Sequence, residues 1–244
     1  MPAALRRVAT HQVGSSEAGV TLVTQCSLDR MNRLLPLLAA WDGPLVAAVL
    51  CFDGERSDRV PQRDGHSQLR ALLAQVPTRH AVCRIGLFVE DGLADGPLGA
   101  LYPINAMRNA AVGLATSALV LPLDIDFLPC AGLHASLARP DALAAARRAC
   151  CEERRMLVLP ALESVGDDAC RAVELAAGGK VAVQRAVREG RASAFASDIF
   201  LPGHGATDTL RWLGVDAPYE VEHEEGCELA TLLTSPHSVH LPRG

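Results

Sequence analysis

The sequence predicts an α/β fold with a mostly parallel central sheet flanked by helices. Three observations carry this. Apolar runs at 20–24, 45–52 and 81–89 are continuous, not alternating, as expected of strands buried on both faces. Segments with apolar residues at helical spacing separate them. The chain has 244 residues, 49% hydrophobic and 21% charged, enough to bury a core and unlike a disordered or fibrous chain.

Residues 1–19 are small and polar and read as a loose lead-in. The first strand, 20–24, ends in Gln25-Cys26-Ser27, and Ser27 is placed to cap a helix over 28–40. Leu28, Met31, Leu34, Leu35 and Leu38 give that helix one apolar face. A second strand covers 45–52 and stops at Asp53-Gly54. A helix over 67–75 and a strand over 81–89 follow, then a glycine-rich loop at 92–99. Pro103 precedes a helix over 105–116. The short apolar run 118–123 stops at Asp124-Ile125-Asp126. Pro140 precedes a helix over 141–155, and 156–160 is another strand. Residues 168–190 are helical in pattern but interrupted by Gly178-Gly179, and from 192 onward the pattern is loop-like. No internal repeat or linker divides 20–244, so one domain is expected there.

Composition narrows the function. The net charge is −5 and aromatics are 4%, which argues against a polyphosphate backbone or a base-stacking platform as partner. The longest apolar stretch, 44–52, falls short of the roughly 20 residues of a spanning helix. Residues 1–16 carry Arg6 and Arg7 without the apolar centre of a secretory signal. Eight cysteines form no C-x-x-C pair, and Cys51 and Cys83 sit in apolar runs as small hydrophobes. Glycine-rich dinucleotide and phosphate-loop motifs are absent.

In α/β sheets, ligands bind beyond the carboxyl ends of the strands. Leu121-Pro122-Leu123-Asp124-Ile125-Asp126 delivers two carboxylates there. Were the strand to continue, both side chains would share one side and repel unless a cation lay between them. Hard oxygen donors suit Mg²⁺ or Mn²⁺, which would neutralise a diphosphate leaving group. As a bare pattern it reads equally as an acidic turn. Just upstream, Tyr102-Pro103-Ile104-Asn105 with Arg108-Asn109 surrounds a helix start. Asn105 can cap it, and Arg108 can clamp a phosphate or carboxylate or simply solvate the helix. Gly203-His204, Thr207-Asp208 and Arg211-Trp212 suit either a substrate loop or a capped helix. Residues 218–226, with Glu220, Glu222, Glu224 and Glu225, offer a general base or form a solvated acidic turn. His237 and His240 are possible nitrogen ligands to Mn²⁺ or surface residues.

In this order the motifs resemble glycosyltransferase family 49. It includes the glucuronyltransferase domain of LARGE-type enzymes and the β-1,4-glucuronyltransferase of protein O-mannosylation. The matching stretches are 20–30, Trp41-Asp42-Gly43-Pro44, Tyr102-Pro103-Ile104-Asn105 with Arg108-Asn109, and Leu123-Asp124-Ile125-Asp126-Phe127-Leu128-Pro129. Further on come Val158-Leu159-Pro160-Ala161 with Glu163, then Gly203-His204 with Thr207-Asp208 and Arg211-Trp212, and Pro218-Tyr219-Glu220-Val221. The resemblance implies a GT-A fold, a UDP-sugar donor, glucuronate above all, and Mn²⁺- or Mg²⁺-dependent inverting transfer to a glycan hydroxyl in the Golgi lumen. Asp124 and Asp126 match the family's metal and diphosphate motif. Thr24, Gln25 and Arg30 fall where the nucleotide is held, and Asn105 and Arg108 where the donor sugar or diphosphate is gripped. Asp208 and Glu224 are the candidate bases, and His240 a candidate third metal ligand. Family domains continue through an aromatic-rich stretch, whereas 228–244 holds no Phe, Tyr or Trp. A shortened domain, or a fold that binds a nucleotide sugar without turning it over, is the alternative. A nucleotidyltransferase is a third reading by fold analogy.

Overall fold

The computed structural model describes residues 4–14, 19–51, 62–75, 82–91, 102–165, 169–195, 208–215, 219 and 231–234. It begins with a strand where a lead-in was expected. Strand β1 (Ala4–Gly14) pairs antiparallel with β4 (Val82–Asp91), and its register shifts between Arg7 and Ala9. That bulge breaks the period of two, so Leu5 packs on one face of the sheet and Val8 and Ala9 on the other. An edge strand with a slipped period leaves no pattern to read from sequence.

The sheet core follows the expected runs. Strands β2 (Val20–Ser27), β3 (Leu45–Cys51), β4 and β5 (Leu119–Pro122) are mutually parallel, in spatial order β4-β3-β2-β5. Along β3, Leu45, Ala47, Val49 and Cys51 enter one core cluster, while Val46, Ala48 and Leu50 enter the other. Both faces are covered, which is why these strands are apolar at every position. Helices α1 (Leu34–Ala40) and α2 (Gln62–Leu73) cover the first face through Leu34, Leu37, Leu38, Leu69 and Leu72. Helix α3 (Ile104–Leu114) covers the second through Met107, Ala111 and Leu114, at helical spacing. Arg84 on β4 donates to the Leu114 carbonyl at the carboxyl end of α3 and to Gln12 Oε1 on β1 at 2.8 Å. One side chain thus joins three elements, with its cation at the negative end of the helix dipole.

Several boundaries differ from the sequence pattern. Residues Leu28–Arg33 form a 3₁₀ turn before α1, and Ser27 occupies the cap position without a side-chain cap bond. Beyond β5 come α4 (Leu133–Leu137) and α5 (Pro140–Arg147), the latter running into a π turn at Arg148–Glu152. Strand β6 (Leu157–Val158) is followed by β7 (Leu162–Ser164) and β8 (Ala192–Ala194), which pair antiparallel as a second, two-stranded sheet. Between those two lie α6 (Ala169–Ala177) and α7 (Gly179–Arg188), split where the glycine pair was noted; Gly179 takes φ +65°, a conformation L side chains avoid. The stretch expected to be loop-like from residue 192 contributes β8, α8 (Thr209–Gly214) and β9 (Thr231–Thr234). Strand β9 lies between β5 and β6, antiparallel to both. Such short pieces carry too few periods to register in sequence and are held by their sheet partners.

The stretch Trp41-Asp42-Gly43-Pro44 is architectural. Trp41 is fully buried, and its Nε1 donates to the Pro44 carbonyl at 2.9 Å. That carbonyl also accepts from Leu22 N on β2 at 3.0 Å. The Trp41 ring packs edge-on against His134 of α4, with ring centroids 4.9 Å apart. His134 Nδ1 lies 3.2 Å from Asp42 Oδ1. A Cβ on Gly43 would sit 2.3 Å from the His134 ring, so only glycine admits that ring.

The six described cysteines with assigned pairing, Cys26, Cys51, Cys83, Cys130, Cys150 and Cys151, are free thiols. Burial pushes Cys26 and Cys83 up to about 12 and Cys51 to about 11, from an ordinary 9.0. The unfolded chain would shed these protons near its ordinary value while the native chain keeps them. Their contribution to stability is therefore complete below about pH 9 and is lost as pH rises through 11 to 12. Urea midpoints should fall from pH 8.5 to pH 11. Iodoacetamide at pH 8.5 should leave these three thiols unmodified until denaturant is added.

Candidate functional site

The spatial order β4-β3-β2-β5 reverses between β2 and β5, since β3 and β4 follow β2 on one side and β5 lies on the other. Chain connections leave such a switch point in opposite directions and open a crevice at the strands' carboxyl ends. Gln25 near the end of β2 and Asp124 just past β5 meet across it: Gln25 Nε2 donates to Asp124 Oδ1 at 3.3 Å. The Tyr102 hydroxyl donates to Gln25 Oε1. Burial, more than the nearby Asp124 charge, raises the Tyr102 phenol well above its ordinary range, so it stays a donor at any physiological pH. From α3, Arg108 grips Asp124 with two bonds, Nη2 to Oδ2 at 2.9 Å and Nε to Oδ1 at 3.4 Å. Arg108 follows the buried Met107 and so lies at the edge of the helix's packed face, half-exposed, where it reaches the crevice.

The two carboxylates do not continue a strand. Strand β5 ends at Pro122, and Phe127 N donates to the Asp124 carbonyl at 3.0 Å, closing a turn. Each carboxylate has its own cations. Asp126 Oδ1 accepts from both Arg30 Nη2 and Arg33 Nη1. Arg33 does not stand out in the sequence. Its signal is the R-x-x-R spacing, which matters because positions i and i+3 eclipse in the 3₁₀ turn that replaces the expected α-helix.

Three further candidates lie away from this cluster of bonds. Thr24 is 2% exposed and alternates to the α1 side of β2, away from Gln25, its hydroxyl finding no partner among the described residues. Asn105 is exposed in the first turn of α3 and does not cap it; Pro103 holds the cap position. Asp208 caps α8, its Oδ1 accepting from Arg211 N at 2.9 Å, while its carbonyl accepts from the Tyr219 hydroxyl at 2.8 Å. Arg211 in turn lies over the Tyr219 ring, 4.2 Å from its centroid. Asp208, Arg211 and Tyr219 thus form one packed unit. Glu224 and His240 lie outside the described residues, as do Gly203-His204.

Phe127, next after the acidic turn, meets Phe195 edge-on at the end of β8, with ring centroids 4.8 Å apart. Ala131 N donates to the Ala176 carbonyl of α6 at 2.7 Å. The second sheet and its helices therefore dock directly behind the acidic turn.

The site's donor chemistry fits a divalent cation with a diphosphate. Asp124 and Asp126 offer hard carboxylate oxygens, 36% and 43% exposed, ringed by guanidiniums that complement phosphate oxygens. Among the described residues, no group of three His, Cys, Asp or Glu assembles around a common point.

Known proteins resemble this chain over most of its length. The family model described as "Glycosyl-transferase for dystroglycan" matches residues 95–226, which include Arg108, Asp124, Asp126 and Asp208. The chain is 31% identical over 204 residues to the xylosyl- and glucuronyltransferase LARGE2 of Rattus norvegicus, covering 83% of this chain and 26% of the relative. It is 25% identical over 218 residues to LARGE1 of Homo sapiens, 89% of this chain and 26% of the relative. It is 27% identical over 209 residues to LARGE1 of Danio rerio, 86% and 24%. The chain thus spans about a quarter of the length of these curated relatives.

Proposed function

Given that the chain belongs to glycosyltransferase family 49, the family of the glycosyl-transferase for dystroglycan, we propose that it moves a sugar from a UDP-sugar to a glycan hydroxyl with inversion and with the help of Mn²⁺ or Mg²⁺. Glucuronate is the proposed sugar. The reading rests above all on one observation: Gln25, Tyr102, Arg108 and Asp124 converge on the β2/β5 switch point.

A glycosyl donor departs with its diphosphate, and charge builds on that group as the bond to the sugar breaks. A cation held by Asp124 and Asp126 would supply neutralisation of that charge. Arg30, Arg33 and Arg108 hold the phosphates and, for a uronate donor, its carboxylate, by paired N–H bonds. Gln25, fixed by Tyr102, orients Asp124 so that its geometry exists before the donor arrives. The acceptor hydroxyl gives its proton to a base on the opposite face of the sugar. Asp208 and Glu224 remain the two proposed bases, with His240 as the proposed further metal ligand. A Golgi lumen location belongs to the same proposal, as the family resemblance implies it.

The test is calorimetric titration of UDP-glucuronate into the purified chain with Mn²⁺, then with chelator. Saturable heat with Mn²⁺ that disappears with chelator is expected. Equal binding in chelator would overturn the metal's part. Silence with UDP-glucuronate, UDP-xylose and UDP alike, in a chain shown to be folded, would overturn the donor assignment.

A further inference from the structure

We propose that Arg30 and Arg33 form a lock on Asp126 that opens only for a nucleotide diphosphate, so that cation and donor enter the site together; this rests on reading Asp124 and Asp126 as the donor-diphosphate site. The two guanidiniums eclipse on the 3₁₀ turn and donate to one and the same oxygen, Asp126 Oδ1. Asp126 is one of the two carboxylates that would hold a cation. Both arginines are about half exposed, at 41% and 51%, so they can redirect without disturbing the core.

Charge sets the order. The five paired groups are three guanidiniums and two carboxylates, a net charge of +1. A lone divalent cation meets a positive site whose carboxylates are already engaged. A diphosphate is attracted, and its several oxygens suit two planar forks better than a single shared carboxylate oxygen does. Once the forks move to phosphate, Asp126 is released beside the incoming cation. Arg33 is thus a positioning residue. Were it only a pin for the turn 124–127, its removal would weaken cation binding instead of strengthening it.

The experiment is Mn²⁺ titration followed by the electron paramagnetic resonance signal of the free ion, with and without UDP. The wild-type chain should bind Mn²⁺ at least about tenfold more tightly with UDP than without, within the usual span of coupling between sites. Arg33→Gln should bind Mn²⁺ alone about five- to tenfold more tightly than wild type and show weaker coupling to UDP. Arg30→Gln should shift the same way and serves if the first variant fails to fold. Arg139→Gln, whose guanidinium pairs with Asp141 elsewhere, should change neither affinity. The lock is overturned if neither site variant gains affinity for Mn²⁺ alone, or if UDP leaves wild-type Mn²⁺ affinity unchanged. In either case Asp126→Asn still reports on the underlying reading: lost Mn²⁺ binding upholds the site without the lock, and intact Mn²⁺ binding overturns the site and the lock together.

Discussion

Asp124→Asn should lower affinity for a UDP-sugar at least about 100-fold, equivalent to roughly 3 kcal/mol, while leaving the chain folded. Asp124 is the shared acceptor of the crevice, taking bonds from Gln25 and two from Arg108. Asparagine keeps the volume but removes the charge and one acceptor. It takes away the negative charge that Arg108 grips and removes a hard ligand from the proposed cation. The cost to stability should be much smaller. Arg108 and Asp124 are each about a third exposed, 33% and 36%, so solvent screens the pair and its loss should cost about 1 kcal/mol or less. Calorimetry with UDP and Mn²⁺ reads the first effect and thermal unfolding the second. Affinity within threefold of wild type would remove Asp124 from the site. A collapse in stability would show the pair to be structural.

Trp41→Ala should be the most damaging single substitution for stability, by about 3–5 kcal/mol. Whole-domain stabilities are about 5–15 kcal/mol, so much of the native margin would go. Three separate consequences follow from the one side chain. A fully buried ring leaves a large cavity, the bond to the Pro44 carbonyl is lost, and His134 loses its packing partner and with it the anchor of α4. The melting temperature should fall by roughly 6–20 °C, at about 2–4 °C per kcal/mol for a chain of this size. Trp41→Phe should recover most of the packing but not the hydrogen bond, and so lie between. If Trp41→Ala melted within about 3 °C of wild type, the clamp between the β2–β3 connection and α4 would carry little weight.

These two residues mark different kinds of legibility. Trp41-Asp42-Gly43-Pro44 stands out in sequence as part of a family pattern, yet its role is packing, and the sequence gives no hint that the partner is His134, over ninety positions away. Asp124 is legible as chemistry because an apolar run that stops in D-x-D is unusual. That Gln25, Tyr102 and Arg108 all bond around it is not, because they come from two other segments and only the fold gathers them.

The sequence by itself determined the parallel core of the sheet, since double-sided burial forces continuous apolar runs at 20–24, 45–52 and 81–89. It also determined the place of the acidic turn and the split between α6 and α7, where two glycines interrupt a helical period. Only the tertiary structure decided the strand order that opens the crevice between β2 and β5. It likewise recruited 4–14 and 231–234 into the sheet and assigned Arg33 to Asp126. The physical reason is range. Burial and turn propensities act over a few neighbouring residues and leave a periodic trace, whereas strand order, edge pairing and ion pairs join residues far apart in sequence and are settled by packing.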